Sequence, residues 1–436
     1  MRILLVAPSV LPSRNGGKRR APFPPLALAT VAGLTPPEVE VRIVDEAVED
    51  LDYGGSWDLV GVTCNTPQAP RAYAIAAAFR RRGIPVVLGG MHPTALPEEA
   101  LRHADAVVVG EAEGSWPRLL ADLQKGRLQP VYRQEGYPEL KWVRARRELY
   151  RSGAYLVPST VQTTRGCPYN CDFCSVTRFF GSTYRARPLQ EVVEEVARLP
   201  GRLVVFVDDN ITARPAYARS LFRALRDLNK RWVAQASVNS LRSEEMVRLA
   251  AAGGCRGLFI GFESLSPEGL QGLNKQINDV RTYREVIRRL HHYGIGVIGA
   301  FIVGLDQDGP DVFDRILEFS FQAKIDLLQV SILTPLPGTA LWARLEREGR
   351  IFDRDWSRYT GNHVVYWPRR MTPEQLQEGF RYVLREAYSW RGILGRLVRW
   401  GRQSLFFWTA NGVFRRGVRN YLRRVCQEQG VVRGEA

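Results

Sequence analysis

Short apolar runs that alternate with helix-patterned stretches constrain this chain more than any other feature. Over residues 1–135 the runs RILLVAP, VEVRIVD, DLVGVTC, PVVLGG and DAVVVG have helical patterns such as PQAPRAYAIAAAFRRRG and PEEALRHA between several of them. Strands that alternate with helices specify a parallel sheet covered on both faces. Ligands of such sheets bind beyond the carboxyl ends of the strands. Those ends read Thr63–Cys64–Asn65, Gly89–Gly90–Met91–His92 and Gly110–Glu111. Paired glycines at a strand end let a bulky ligand approach the backbone closely, and a tight structural turn is the competing explanation.

Residues 136–155 read as a linker, and from Thr160 a second series begins. Its strand-like runs are LVPSTVQTTRG, RLVVFVDDN, RWVAQASVNS, GLFIGFES, IGVIGAFIVG and DLLQVSILTPLPG, with helical patterns such as PLQEVVEEVARL and SEEMVRLAAAG between them. Six strand–helix units over 156–365 specify a partial (β/α)6 barrel, whose function again belongs at the carboxyl strand ends. Cys167, Asp208–Asp209–Asn210, Gln235, Ser237, Glu263 and Pro335–Pro337 all fall at such ends. The last segment, 366–436, changes character. From Arg391 to Arg424 it has nine arginines and no acidic residue, with Leu, Phe and Trp interleaved. The expected fold class is therefore α/β: an N-terminal doubly wound, Rossmann-like domain, a linker, a partial barrel and a basic C-terminal helical region.

Composition removes several classes. No stretch approaches the ~18 uninterrupted apolar residues that a membrane-spanning helix needs. MRILLVAPSV reads as a first buried strand rather than a signal peptide, because its apolar run is short and VLPSRNGGKRR follows it. Six cysteines with three of them bunched do not make a disulfide framework, and they fit a reducing cytoplasm. The net charge of +16 reflects either coding bias toward arginine or a polyanionic partner such as nucleic acid or an anionic membrane surface.

The sharpest motif is GCPYNCDFC at residues 166–174, which spaces Cys167, Cys171 and Cys174 as C-x3-C-x2-C on a loop after the first barrel strand. Structural zinc wants four ligands, usually in two separated pairs. No fourth cysteine is near, and no histidine lies within sixty residues. Three thiolates on a [4Fe–4S] cubane instead leave one iron open, able to chelate a small molecule through an amine and a carboxylate. Phe173 is placed to shield such a cluster from water. An electron carrier would want a fourth thiolate, and neither Cys255 at a strand start nor Cys426 in the tail is a natural one.

This motif resembles the signature of the radical S-adenosylmethionine (SAM) superfamily. The resemblance implies that SAM occupies the open iron and is cleaved reductively to a 5′-deoxyadenosyl radical that attacks an unactivated C–H bond. It also implies a flavodoxin- or ferredoxin-type electron donor. The family's second strand often ends in GGE, which holds the SAM amino group. Here that end reads Asp208–Asp209–Asn210, so the role survives while the particular residue is left open. Gln235 and Ser237 are implied contacts of the methionine carboxylate or ribose, and Glu263 resembles the family's ribose-binding acid. For each of these the competing explanation is a structural cap on a strand end.

The first domain resembles the cobalamin-binding domain that precedes the barrel in one large subgroup, through PPLALATVAGL, DLVGVTCNT, PVVLGGMHPT and DAVVVGEAEGSWPRLL. On that resemblance Thr63, Gly89 and Gly90 line the nucleotide tail of cobalamin, and Gly110 and Glu111 its corrin edge. The D-x-H-x-x-G motif that supplies an axial histidine in other cobalamin proteins is absent, as is common in this subgroup, and a degenerate domain that binds no corrin is the alternative. The expected enzyme transfers a methyl group or forms a C–C bond. Its alternative is a radical SAM enzyme without functional cobalamin, acting on RNA or another small molecule. The basic, aromatic C-terminal helices favour a hydrophobic or lipid-like substrate and a peripheral contact with the inner membrane face. A solvated helical cap and RNA binding compete with that reading. RNA-modifying methylthio enzymes carry three additional N-terminal cysteines, whereas Cys64 is the sole cysteine before Cys167 here. Tyr184 and Arg185, just past the cysteine loop, are expected near the substrate.

Overall fold

The computed structural model describes residues 1–10, 20–140, 144–397 and 404–428. The chain divides into two compact units. The first comprises Met1–Asp209, Pro335–Gly349 and Asp353–Thr360, and the second Asn210–Thr334, Arg350–Phe352 and Gly361–Ala436.

The first unit opens with β1 (Arg2–Ala7), β2 (Glu40–Asp45), β3 (Leu59–Thr63), β4 (Val86–Gly89), β5 (Ala106–Val109) and β6 (Val131–Arg133). These strands pair in parallel in the order β2-β1-β3-β4-β5-β6. Helices α1 (Leu26–Gly33), α2 (Ala69–Arg80), α3 (Met91–Ala95), α4 (Pro97–Leu101) and α5 (Ala112–Gln124) connect them. The pleat sends successive side chains to opposite faces. Leu4 and Val6 pack with Ile75, Ala76 and Phe79 of α2. Ile3 and Leu5 pack with Leu28 of α1 and with Trp116 and Leu119 of α5. Cover on both faces is why these strands read as unbroken apolar runs. Strand order reverses between β1 and β3, so a crevice is expected at their carboxyl ends. The three-residue β6 (VYR) was too short to register as a run. Residues 144–155 are docked onto this unit. The Arg146 N–H donates to the Ala29 carbonyl of α1 (2.9 Å), and the Tyr155 hydroxyl donates to Asp45 (3.2 Å).

The sequence leads to one strand over LVPSTVQTTRG, and the structure breaks it in two. β7 (Thr160–Val161) is followed by β8 (Thr164–Arg165), α6 (Ser175–Phe180), β9 (Arg185–Ala186), α7 (Leu189–Arg198) and β10 (Leu203–Phe206). β7 pairs in parallel with β10, but β8 pairs antiparallel with β9. The cause is local: the Thr163 N–H donates to the Asp208 carboxylate (3.1 Å) rather than to a neighbouring strand.

In the second unit β11 (Arg231–Ala236), β12 (Cys255–Glu263), β13 (Gly296–Val303) and β14 (Leu327–Ile332) run parallel in that order. They alternate with α8 (Pro215–Leu225), α9 (Glu244–Ala252), α10 (Pro267–Gly272), α11 (Tyr283–His292) and α12 (Val312–Gln322). Beyond β14 the chain makes α13 (Ala340–Arg347), part of the first unit, and then α14 (Pro373–Ala387), α15 (Trp390–Leu397) and α16 (Ser404–Glu428) in the second.

The basic C-terminal region forms helices as expected, and its inner face is a packed cap. The Phe407 ring fills the space over Gly257 and Gly296, where a Cβ on either glycine would meet it. The Asn411 amide donates to the Asp326 carbonyl (2.8 Å), and Arg396, 1% exposed, donates to the Ala387 carbonyl (2.6 Å). All three strand contacts lie at the amino ends of β12, β13 and β14, the end away from Gln235, Ser237 and Glu263. Arg416, Arg419, Arg423 and Arg424 are exposed, while Arg399, Trp400 and Arg402 lie outside the described residues.

Candidate active site: the cysteine loop and the strand ends

The loop that carries the cysteines is anchored at its root. Gly166 adopts φ +83, and a Cβ there would run into the Thr183 carbonyl, so only glycine lets the two ends of the loop approach this closely. Asp208 is fully buried, and its carboxylate accepts from the Thr163 N–H (3.1 Å), the Thr163 hydroxyl (2.7 Å) and the Thr164 hydroxyl (2.6 Å). Burial pushes its carboxyl above the usual range, and the threonine bonds oppose that push. Asp209 accepts from the Gly166 N–H (3.0 Å). Burial raises its carboxyl to about 6, with Asp208 adding to the shift while the Gly166 bond and Arg165 oppose it.

Within the loop Cys171 is buried, whereas Cys167, Cys174 and Phe173 are partly exposed. Among the described residues no three Cys, His, Asp or Glu side chains converge as the ligands of one metal ion would. Three thiolates in one loop, with no fourth cysteine or histidine near them in sequence, fit a cluster that leaves one iron open better than the four-ligand set of structural zinc. The Ser175 hydroxyl donates to the Met91 sulfur of α3 (3.5 Å), and the Leu341 N–H of α13 donates to the Asp172 carbonyl (2.9 Å). Gly338, directly after Pro337, packs against Ala95 of α3. These bonds and contacts hold the loop against the helix that follows the glycine pair.

Thr63, Gly89, Gly90 and Gly110 come together at the carboxyl edge of the first sheet, with Thr63 and Gly89 as direct register partners. Gly90 takes φ +101, and a Cβ on it would lie 2.8 Å from the Thr63 hydroxyl and 2.9 Å from the Cys64 carbonyl. Over Gly89 a Cβ would meet only Val108, at 3.7 Å, and over Gly110 only Gln134, at 3.5 Å. Such a bare ledge beyond the carboxyl ends of the strands fits a large planar ligand.

Glu111, the N-cap of α5, is buried. Its side chain is 2% exposed. One oxygen accepts from Arg165 Nη1 (2.5 Å) and Arg185 Nη1 (3.1 Å), and the other from Arg185 Nη2 (2.6 Å). Both oxygens of the Glu111 carboxylate and both terminal nitrogens of Arg185 are engaged in this pairing. His92 is fully buried beside Thr66 (3.3 Å), Tyr73 (3.1 Å) and Glu99 (3.3 Å). Burial lowers its pKa, and the nearby Glu99 opposes that.

In the second unit Asn210 is buried, and its side-chain oxygen accepts from the Thr212 N–H (3.2 Å) and hydroxyl (3.0 Å). Gln235 is exposed at the end of β11, and the Ser237 hydroxyl lies 3.2 Å from that of Ser240. Glu263 ends β12 with φ +65, rare for a residue other than glycine, and pairs with Lys275 (3.2 Å). The Asn278 amide donates to the Gly261 and Phe262 carbonyls (2.8 and 3.1 Å), and the Tyr283 hydroxyl also donates to the latter (2.8 Å). Sequence reasoning missed Thr163, Thr164, Arg165, Lys275 and Asn278. Thr163 and Thr164 hold Asp208, Arg165 pairs with Glu111, Lys275 pairs with Glu263, and Asn278 bonds the two carbonyls just before Glu263, all across distances in sequence that no spacing rule spans.

A parallel sheet that ends in a glycine ledge, beside a rooted loop of three cysteines, defines a class of iron–sulfur enzyme with an attached corrin-binding fold. Known proteins agree. The model of the radical SAM superfamily matches residues 161–320, that of the B12 binding domain residues 15–120, and that of a domain of unknown function (DUF4070) residues 339–435. Bacteriochlorophyllide d C-12(1)-methyltransferase of Chlorobaculum tepidum is 32% identical over 91% of this chain and 89% of its own length. Hopanoid C-2 methylase of Rhodopseudomonas palustris is 28% identical over 85% and 75%. The radical SAM methyltransferase TsrM from Kitasatospora setae, solved with cobalamin and a [4Fe–4S] cluster, shares the fold with a TM-score of 0.65. It is 21% identical and covers 80% of this chain and 78% of its own. This chain belongs to the radical SAM superfamily, in the subgroup with an N-terminal cobalamin-binding domain. It is an enzyme of that class, whose cofactors are a [4Fe–4S] cluster, SAM and cobalamin and whose chemistry requires a reductant.

Proposed function

We propose that this enzyme is a cobalamin-dependent methyltransferase acting on a carbon of a hydrophobic, polycyclic substrate, with a flavodoxin- or ferredoxin-type electron donor. The observation that carries the reading is the cysteine loop rooted beside the glycine ledge within one compact unit. The substrate class rests on likeness across most of the chain to enzymes named for a bacteriochlorophyllide and a hopanoid.

In this reading residues 1–135 bind cobalamin, 136–155 link, 156–365 carry the radical chemistry, and 366–436 close the far strand ends. When bound, the cluster and SAM supply hydrogen abstraction and cobalamin supplies the methyl group, the hard chemistry being the cofactors' own. Cys167, Cys171 and Cys174 hold three irons, and Phe173 keeps water from the loop. Asp209 accepts the SAM ammonium. Asp208 holds the root of the loop through Thr163 and Thr164, and Asn210 is held by Thr212. Gln235, Ser237 and Glu263 take the carboxylate and ribose of SAM. Thr63, Gly89, Gly90 and Gly110 offer backbone and one hydroxyl to cobalamin. The outer face of α15 and α16, where Trp390, Leu394, Leu405 and Val413 are exposed near the arginines, meets an anionic membrane surface.

The test is anaerobic reconstitution with iron, sulfide and hydroxocobalamin, followed by cobalt analysis. Incubation with SAM, reductant and pigment- or hopanoid-class substrates then precedes mass spectrometry. Near-stoichiometric cobalt and a substrate heavier by one methyl group are expected. SAM cleavage to 5′-deoxyadenosine without retained cobalt would sink methyl transfer and leave a radical SAM enzyme of another reaction.

A further inference from the structure

Glu111 stands where the two halves of the first unit's chemistry meet. It follows Gly110 at the carboxyl end of β5 and is the N-cap of α5, so its backbone belongs to the glycine ledge. Its side chain points away from that role. Arg165 and Arg185, which grip the carboxylate, are cross-strand partners in the short β8–β9 ladder. That ladder is the neck of the cysteine loop: one strand enters it two residues before Cys167 and the other leaves it after Tyr184. Arg165 also pairs with Glu113 in the first turn of α5 (2.6 Å). Arg185 donates in addition to the Pro138 carbonyl (2.9 Å), and its guanidinium lies over the Tyr137 ring (5.1 Å).

All three residues of the knot are largely buried, at 2%, 13% and 16% side-chain exposure. A buried, bidentate arginine–carboxylate pair is directional as well as strong, and it does not slide as a solvated pair does. Lysine would supply the charge without the fork.

We propose that Glu111 is a positioning residue that fixes the cysteine loop relative to the cobalamin ledge through Arg165 and Arg185, and so sets the spacing between the two metal centres. This rests on the reading that both cofactors bind the first unit. It concerns the chain's own geometry, not the substrate. A spacing set by side chains is held only as tightly as their supporting bonds allow.

The experiment is pulsed dipolar electron paramagnetic resonance on the full chain, reconstituted and reduced so that the cluster and the cob(II)alamin are both paramagnetic. Iron and cobalt are counted in each sample. Wild type is expected to give a narrow coupling distribution. Glu111→Gln, which keeps the shape and removes the charge, is expected to give a roughly twofold broader one while both metals are retained. Glu111→Asp, which keeps the charge, is expected to fall between them. A Glu111→Gln distribution as narrow as wild type overturns the proposal. If that variant does not fold, Arg185→Lys is read by the same criterion, since it keeps the charge and loses the fork. Absence of cobalt from the wild-type protein would instead be a failure of the cobalamin reading, and the metal count separates the two.

Discussion

Asp208 and Asp209 are adjacent in sequence and do different work. Asp208 satisfies three buried donors of Thr163 and Thr164. Each donor left unpaired by its loss costs about 1–3 kcal/mol. Asp208→Ala is therefore expected to lower unfolding stability by about 3 kcal/mol or more and to reduce iron per chain, because the root of the loop is what it holds. Wild-type unfolding and full iron content in that variant would refute the assignment. Asp209 keeps one oxygen outside the bonds described, and burial raises its carboxyl to about 6. The carboxylate form is the one that attracts an ammonium, so on the proposed role of Asp209 protonation as pH falls through 6 weakens SAM binding. Calorimetric SAM affinity of the reconstituted protein is expected to drop about tenfold from pH 7 to pH 5. In Asp209→Asn it should be weak and flat across that range. The cysteine motif was visible in the sequence, because three thiols in eight residues are spaced as the family signature is. The division between the aspartates was not legible. It depends on threonines 44 and 45 residues away, and only the folded chain brings those into reach.

At the scale of the element, strands and helices of both sheets were readable because burial on two faces leaves continuous apolar runs. Breaks in that pattern were harder to see. The Thr163 N–H turns to a carboxylate, so one apparent strand becomes two with opposite pairing. Glu263 sits at a left-handed backbone position at the end of β12, and a carboxylate gives no sequence sign of that. The C-terminal helices show the clearest limit. Interleaved arginine and aromatic residues specify an amphipathic helix but not what its apolar face meets. Phe407 answers this by packing over Gly257 and Gly296. Those glycines accept the ring because they lack side chains. Truncation of a buried phenylalanine typically costs about 3–5 kcal/mol. Phe407→Ala is expected to fall in that range by denaturant unfolding while the affinity for SAM stays near wild type, since the contact is at the amino ends of the strands. A variant with full stability, or one that is destabilised but folded and has lost SAM affinity, would contradict the cap.

At the scale of the whole molecule, part of the net charge of +16 lies in the arginine-rich C-terminal helices. No helix among the described residues is long and apolar enough to cross a membrane, and the proposed contact with a lipid surface is made by the exposed side of α16. Along α16, Leu405 is 73% and Val413 61% exposed, and Arg416, Arg419 and Arg423 follow on the solvent side. Apolar residues that insert among headgroups and cations that meet anionic lipid are the two contributions an interfacial helix combines. Each arginine near such a surface contributes about 1 kcal/mol, which salt weakens. Vesicle sedimentation of the full protein is expected to show binding to phosphatidylglycerol-containing membranes that falls with ionic strength, and little binding to neutral ones. Replacing Arg416, Arg419 and Arg423 together by Gln should weaken that binding by about a hundredfold, from roughly 3 kcal/mol in sum. Replacing Leu405 and Val413 by Ser should weaken it without changing its salt slope, because those residues carry no charge. Equal binding to neutral and anionic vesicles, or none to either, would remove the membrane from the account. The arginines would then be a solvated outer face, and a hydrophobic substrate would have to reach the enzyme by another carrier.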